Sequence, residues 1–266
     1  MQETGLKRNA IDKFYTNQSA VKFCINLLKK YVKIGKNDLI VEPSAGNGAF
    51  IPEIKKLVKN YKFFDISPEN DEIVKRDFLE VEKFNYPKKH CFGNPPFGRQ
   101  SSLAIKFIKK ACNEYDTISF ILPKSFKKDS MKKHFSLYFH LIYQEDMPFN
   151  SFLIDGNPYN VETVFQIWEK KDFERELPLK LEADNFQFVG KEDNPDISFR
   201  RVGINAGTIS KDIENKSSQS HYFIKFNGEI DEILKKLEEI SFEHGNTVGP
   251  KSISKQEVIK EFNKYI

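Results

Sequence analysis

The chain has 266 residues, 39% hydrophobic and 30% charged, with a formal net charge of +4. That is a little more than one typical domain, and with no apolar run of about 18 residues and a polar segment at 1–9, an intracellular, soluble protein without a signal segment is expected. Cys24, Cys91 and Cys112 are too widely spaced for a disulfide framework or a zinc site, and His90, His134, His140, His221 and His244 show no ligand spacing, so no metal is expected.

In chain order, Leu39, Ile40 and Val41 predict a short strand ending at Glu42-Pro43, and residues 44–50 form a turn punctuated by Gly46 and Gly48. A helix pattern follows at Phe50, Ile54, Leu57 and Val58. Strand, glycine-rich turn and helix present backbone N–H groups to a ligand, which makes Glu42, Ser44, Ala45, Gly46 and Gly48 candidate binding positions. With only two glycines this is not the dinucleotide fingerprint, and an ordinary tight turn is the competing meaning. The next strand, 61–66, ends at Asp65, 17 positions after Gly48, where such folds set an acid against ribose hydroxyls. Residues 73–76 lead into Asp77-Phe78, so Ile66 and Phe78 can bracket an adenine ring while Asp77 accepts its N6 protons. Each acid taken alone also reads as a cap or a solvated strand end.

Downstream, 103–111 reads as a helix and 117–123 as a strand buried on both faces. Residues 124–137 are expected to be helical, and 141–147 and 161–168 to be strands separated by a loop. A polar run then sets a boundary after residue 170, dividing the chain into regions 1–170 and 171–266. The second region shows short strands at 186–189, 198–202 and 221–226, an amphipathic helix at 230–240 and a final helix at 254–265. Within it, Arg200 and Arg201 stand beside a glycine-rich turn that suits a phosphate or a partner carboxylate. A hairpin turn with surface arginines is the commoner meaning.

Residues 1–170 carry 27 Lys+Arg against 20 Asp+Glu, and residues 171–266 carry 15 against 18. Positive potential therefore lies on the first region. Lys124, with Lys127, Lys128, Lys132 and Lys133, follows a strand whose end faces the same edge as Asn94 and can neutralise nucleic-acid phosphates. A solvated lysine-rich helix face explains the same residues.

The richest segment is Gly93-Asn94-Pro95-Pro96-Phe97-Gly98, after a predicted buried strand. An aromatic amine is a poor nucleophile unless acceptors hold its protons. Asn94 can supply one acceptor from its side chain and Pro95 a second from its carbonyl, while Pro95 and Pro96 lock the backbone and Phe97 offers a flat face to a base. The same turn also reads as a proline-stiffened loop with Phe97 in the core. The Pro-Cys dipeptide used for methylation at cytosine C5 is absent from the sequence.

The series 42–50, Phe64-Asp65-Ile66, Asp77-Phe78-Leu79 and 93–98 resembles the S-adenosylmethionine-dependent methyltransferases that modify adenine N6, in the motif order of the gamma, Taq-type class. The resemblance covers roughly residues 10–170. It implies an α/β fold, a doubly wound, seven-stranded Rossmann-like methyltransferase sheet with a smaller C-terminal α+β region. It implies S-adenosyl-L-methionine as cofactor, with a first helix after Phe14-Tyr15-Thr16-Asn17 and Thr16 at the cofactor turn; the family commonly has Pro at the position of Asn17. It also implies that Phe149 and Phe152, between the last two strands, wall the pocket for an extruded base, although core packing fits both. The second region would select the substrate or bind a protein partner. Nucleic acid, DNA or RNA including cap-adjacent adenosine, is the expected substrate and no membrane partner is expected. A catalytically inactive binding subunit and a protein glutamine methyltransferase stay open.

Overall fold

The computed structural model describes residues 14–237, 239–242 and 252–266, so the polar start of the chain and His244 lie outside the described residues. The chain forms two compact units, residues 1–176 and 177–266.

In the first unit the elements are β1 (Tyr15–Thr16), α1 (Gln18–Tyr31), β2 (Leu39–Glu42), α2 (Ile51–Leu57), β3 (Asn60–Asp65), β4 (Val74–Lys75) and β5 (Lys89–Gly93). These are followed by α3 (Ser102–Glu114), β6 (Thr117–Pro123), α4 (Asp129–Lys132), β7 (Phe139–Asp146), β8 (Phe152–Ile154), β9 (Asn157–Tyr159) and β10 (Thr163–Lys170). Seven strands make one sheet in the order β4-β3-β2-β5-β6-β10-β7. The first five are parallel, and β10 runs antiparallel between β6 and β7. This is the doubly wound, Rossmann-like methyltransferase fold that the sequence implied.

Strand periodicity explains why both faces are covered. Leu39, Val41, Cys91, Ile118, Phe120 and Trp168 point to the α3 side, where they pack on Ala104, Ile108 and Ala111. Their neighbours Ile40, Phe92, Ile121, Phe165 and Ile167 point to the opposite face, where Val21, Cys24 and Leu28 of α1 and Ile51 and Ile54 of α2 meet them. One buried polar side chain interrupts the first face. Gln166 donates to the Phe126 carbonyl (2.9 Å) and to Gln144 (3.1 Å), and accepts from the Trp168 indole (3.0 Å).

The helix expected over 124–137 is broken. A 3-10 turn at Lys124–Lys127 and the single turn α4 flank Lys128, which is extended. Phe126 and Phe135 are both buried. Nine residues apart, they would face opposite sides of a continuous helix, so the chain breaks to bring both into one core. The loop expected between the last two strands contains the β8–β9 hairpin, to which β1 adds a third strand. Asp155 and Gly156 form its turn with φ of 48° and 77°, the positive values that an Asp-Gly hairpin requires.

Past β10, the Arg175 guanidinium donates to the carbonyls of Ser136 and Phe139 (2.6 and 3.1 Å) and of Lys132 and Phe135 (3.1 and 3.3 Å). It lies 5.5 Å over the Trp168 ring. The second unit holds β11 (Phe186–Val189), β12 (Ile197–Arg200), β13 (Ile209–Ser210), β14 (His221–Phe226), α5 (Ile230–Leu237) and α6 (Lys255–Phe262). Its sheet runs β11-β14-β12-β13 and packs on α5 and α6. A reciprocal capping box between Ser254 and Glu257 starts α6. Among the described residues, no helix is long and apolar enough to cross a membrane.

Gln166→Leu removes both donor and acceptor from a closed buried network, leaving the Phe126 carbonyl and the Trp168 indole unpaired. A loss of about 2–4 kcal/mol is expected, read from the urea midpoint of the whole chain.

Candidate active site

The turns after four parallel strands meet at one sheet edge and line a single cleft. Pro43, Ser44 and Gly46 follow β2, and Asp65, Ile66 and Ser67 close β3. Asp77, Phe78 and Leu79 follow β4, and Asn94, Pro95, Pro96 and Phe97 follow β5. Phe14 and Tyr15 of the N-terminal segment and Leu103 and Phe107 of α3 complete the lining. From β2 the chain goes to β3 and β4 on one side and returns to β5 on the other, so the cleft sits at the switch point of the sheet, where open α/β folds take ligands.

Main-chain bonds shape the first wall. The Gly46 N–H donates to one Asp65 carboxylate oxygen at 2.8 Å, and the Ser67 N–H donates to the other at 2.8 Å. Asp65 is thereby held in the lining, with each oxygen able to accept a further donor. Gly48 has φ +85°, a conformation that side chains rarely adopt, and a Cβ there would lie 2.8 Å from the side-chain ends of Asn70 and Ile51, so a larger residue would be strained. Asp77 caps the 3-10 turn Phe78–Glu80 by accepting from the Leu79 N–H at 2.8 Å, while still lining the cleft. Ile66 is 55% exposed at the rim, and Phe78 is buried against Phe107, their ring centroids 5.2 Å apart.

The turn after β5 is fixed from three sides. Ser44 donates its hydroxyl to the Asn94 carbonyl at 3.0 Å. The Phe97 carbonyl accepts from the Leu103 and Ala104 N–H groups (3.1 and 3.3 Å), which ties the turn to the start of α3. The Asn94 amide Nδ2 donates to the Phe14 carbonyl at 3.3 Å, and Asn94 Oδ1 is buried without a partner among the described residues. An unpaired buried acceptor costs about 1–3 kcal/mol, so it marks a place where an incoming donor is expected.

Glu42 stands behind this wall. It is fully buried, one carboxylate oxygen has no partner among the described residues, and burial, aided by the negative charge of Asp65, pushes its pKa well above the usual carboxylate value.

The other expected site residues are placed as follows. Glu42, Ala45 and Gly48 support the wall but do not line the cleft. Thr16 is buried, pairs with Phe152 through β1 and β8, and is not part of the lining; Phe14 and Tyr15, two residues and one residue earlier, are. Lys124 is bound between Asp146 (3.2 Å) and Glu162 (3.0 Å), which raises its pKa and neutralises the charge expected to meet phosphate. It lines a separate cavity together with Phe149, which is 76% exposed. Phe152 is a core residue and lines neither cavity. In the second unit, Arg200 donates to the Val202 carbonyl (3.0 Å), and Arg201 donates to the Gln219 carbonyl (2.8 Å) and lies 5.4 Å over Tyr222. Both arginines thus brace their own loops. Among the described residues no group of His, Cys, Asp and Glu could hold a metal ion.

The seven-stranded sheet, with its cleft at the switch point, is the Rossmann-like methyltransferase fold. Residues 33–177 match the model of the EDM2 methyltransferase-like domain, and the chain belongs to that family. It is 28% identical over 181 residues to Protein ENHANCED DOWNY MILDEW 2 of Arabidopsis thaliana, a match covering 62% of this chain and 13% of that protein. It is also similar to a solved structure from Pyrococcus horikoshii described as an RNA methyltransferase, at 16% identity and a TM-score of 0.48, covering 62% of this chain and 91% of that one. A structure from Streptococcus mutans, described as a methyltransferase in complex with SAH, aligns at 14% identity and a TM-score of 0.39, covering 57% of this chain and 97% of that one.

Because the folded-state pKa of Glu42 is raised, the folded protein favours the protonated acid and pays for ionising it. Its contribution to stability is complete below the unfolded carboxylate pKa and falls as pH rises towards the folded value. Glu42→Gln should therefore gain stability relative to wild type as pH increases from about 4.5 towards neutrality, measured by denaturation at a series of pH values.

Proposed function

We propose that this chain is an S-adenosyl-L-methionine-dependent methyltransferase acting on N6 of adenine in nucleic acid. The observation that carries this reading is the unpaired Asn94 Oδ1, presented from a proline-locked turn at the cleft.

The residues present fit the cofactor. Asp65 is the acceptor for ribose hydroxyls, while Ile66, Phe78 and Leu79 form an apolar slot for its adenine beside Asp77. Ser44, whose hydroxyl bonds the Asn94 carbonyl, and Gly46 line the cleft, and the buried carboxyl of Glu42, favoured in its protonated form, stands behind them. When bound, the cofactor supplies an electrophilic methyl group on a sulfonium.

The chain's own groups then prepare the acceptor amine. Asn94 Oδ1 takes one amine hydrogen and the Pro95 carbonyl the other, which draws electron density onto the nitrogen and orients it. Pro95 and Pro96 hold those oxygens in place before substrate arrives, so little reorganisation remains for the reaction. Phe97, half-buried in the lining, provides the face on which the base rests. Its neighbour Arg99 is exposed and makes no ion pair among the described residues, which suits a phosphate beside an extruded nucleotide.

Tritiated methyl transfer onto DNA, RNA and capped transcripts, followed by nucleoside mass spectrometry, tests the reading. N6-methyladenine in one of these is the expected product; label confined to a glutamine-containing peptide would overturn it. Asn94→Ala should abolish turnover while leaving cofactor affinity by calorimetry nearly intact. Phe97→Ala should weaken acceptor capture by about 1–3 kcal/mol, seen as a raised KM. Asp65→Ala should instead raise the cofactor Kd, and an unchanged Kd would remove Asp65 from the ribose.

A further inference from the structure

A side-chain amide has one donating and one accepting end, and the group it faces decides which end points where. Asn94 faces the main-chain carbonyl of Phe14, 3.3 Å from Nδ2. A carbonyl only accepts, so the flipped amide would set oxygen against oxygen. Phe14 therefore fixes the sense of the carboxamide and turns Oδ1 the other way, where it is buried and unpaired.

Phe14 is itself held by a remote element. Its ring stacks on Tyr159, with centroids 5.8 Å apart and planes 17° apart, and meets the edge of Phe152 at 6.3 Å. Phe152 is rooted in the core at the start of β8, and Tyr159 ends β9. β1, the continuation of Phe14, pairs with β8, and the Asn17 N–H and side-chain amide bond the Ser151 and Asn150 carbonyls. The three-stranded β1-β8-β9 sheet is thus a clamp that ends on the carbonyl facing Asn94.

We infer that Tyr159 is a positioning residue, acting through the ring and carbonyl of Phe14 to orient the Asn94 amide. The inference rests on the proposed transfer to an amine only for its consequence on rate. The clamp itself has a readout that needs no turnover.

The test compares the whole chain as wild type, Tyr159→Ala and Tyr159→Phe. The Asn94 side-chain ¹⁵N–H₂ signals are assigned by their loss in Asn94→Ala, and their hydrogen-exchange rate is measured. Wild type should show slow exchange, Tyr159→Ala exchange at least about tenfold faster, and Tyr159→Phe, which keeps the stacked ring, the wild-type rate. With a methyl-accepting nucleic acid, Tyr159→Ala should lose about 10- to 100-fold in kcat with cofactor Kd and acceptor KM little changed. A merely structural role would weaken cofactor binding too, because Phe14 and Tyr15 also line the cleft. Unchanged Asn94 exchange in Tyr159→Ala, or failure of Tyr159→Phe to restore it, would overturn the inference whatever the chain methylates. Altered exchange in a chain whose wild type methylates no amine would uphold the clamp and count against the reaction.

Discussion

The Asn94 carboxamide is satisfied at one end only. Its nitrogen is engaged by Phe14, its main chain by Ser44, and its oxygen by nothing among the described residues. Folding tolerates this because the surrounding structure over-determines the turn: a buried strand delivers it, two prolines stiffen it, and the Phe97 carbonyl anchors it to α3. Asn94 lines the cleft at the switch point of the sheet, and its carboxamide keeps one buried acceptor unpaired there among the described residues.

The same logic governs the electrostatics beside it. Glu42 and Asp65 lie close enough for one to raise the pKa of the other, yet Asp65 keeps two N–H donors while Glu42 has a carboxylate oxygen with none. Two acids at neighbouring strand ends therefore differ: one is an ordered acceptor in the lining, the other a buried group whose ionisation is disfavoured.

The seven-stranded sheet and the cleft turns were legible because they rest on local signals: buried strands that end abruptly, then glycine, acid or proline. What escaped depends on contacts distant in sequence. Lys124 looks free until β7 and β10 bring Asp146 and Glu162 to it. Phe149 and Phe152, three residues apart, differ only because β8 turns one into the core and leaves the other outside. The break at Lys128 follows from two phenylalanines competing for one core, which a helix pattern read alone does not weigh. The hairpin at Asp155-Gly156 did carry a local signal, the two turn residues themselves, and with it came the strand partner that places Phe14 and Tyr15 in the lining.

Arg175 gives the first unit its outer seam. Four carbonyl oxygens from the broken stretch around α4 converge on one guanidinium that arrives from beyond the final strand. A fragment cut at the last sheet residue, Lys170, would strip that cation away and leave the stretch unfastened beneath Trp168. The first unit thus has its natural margin at Glu176, where its polar stitching ends, rather than where its sheet does.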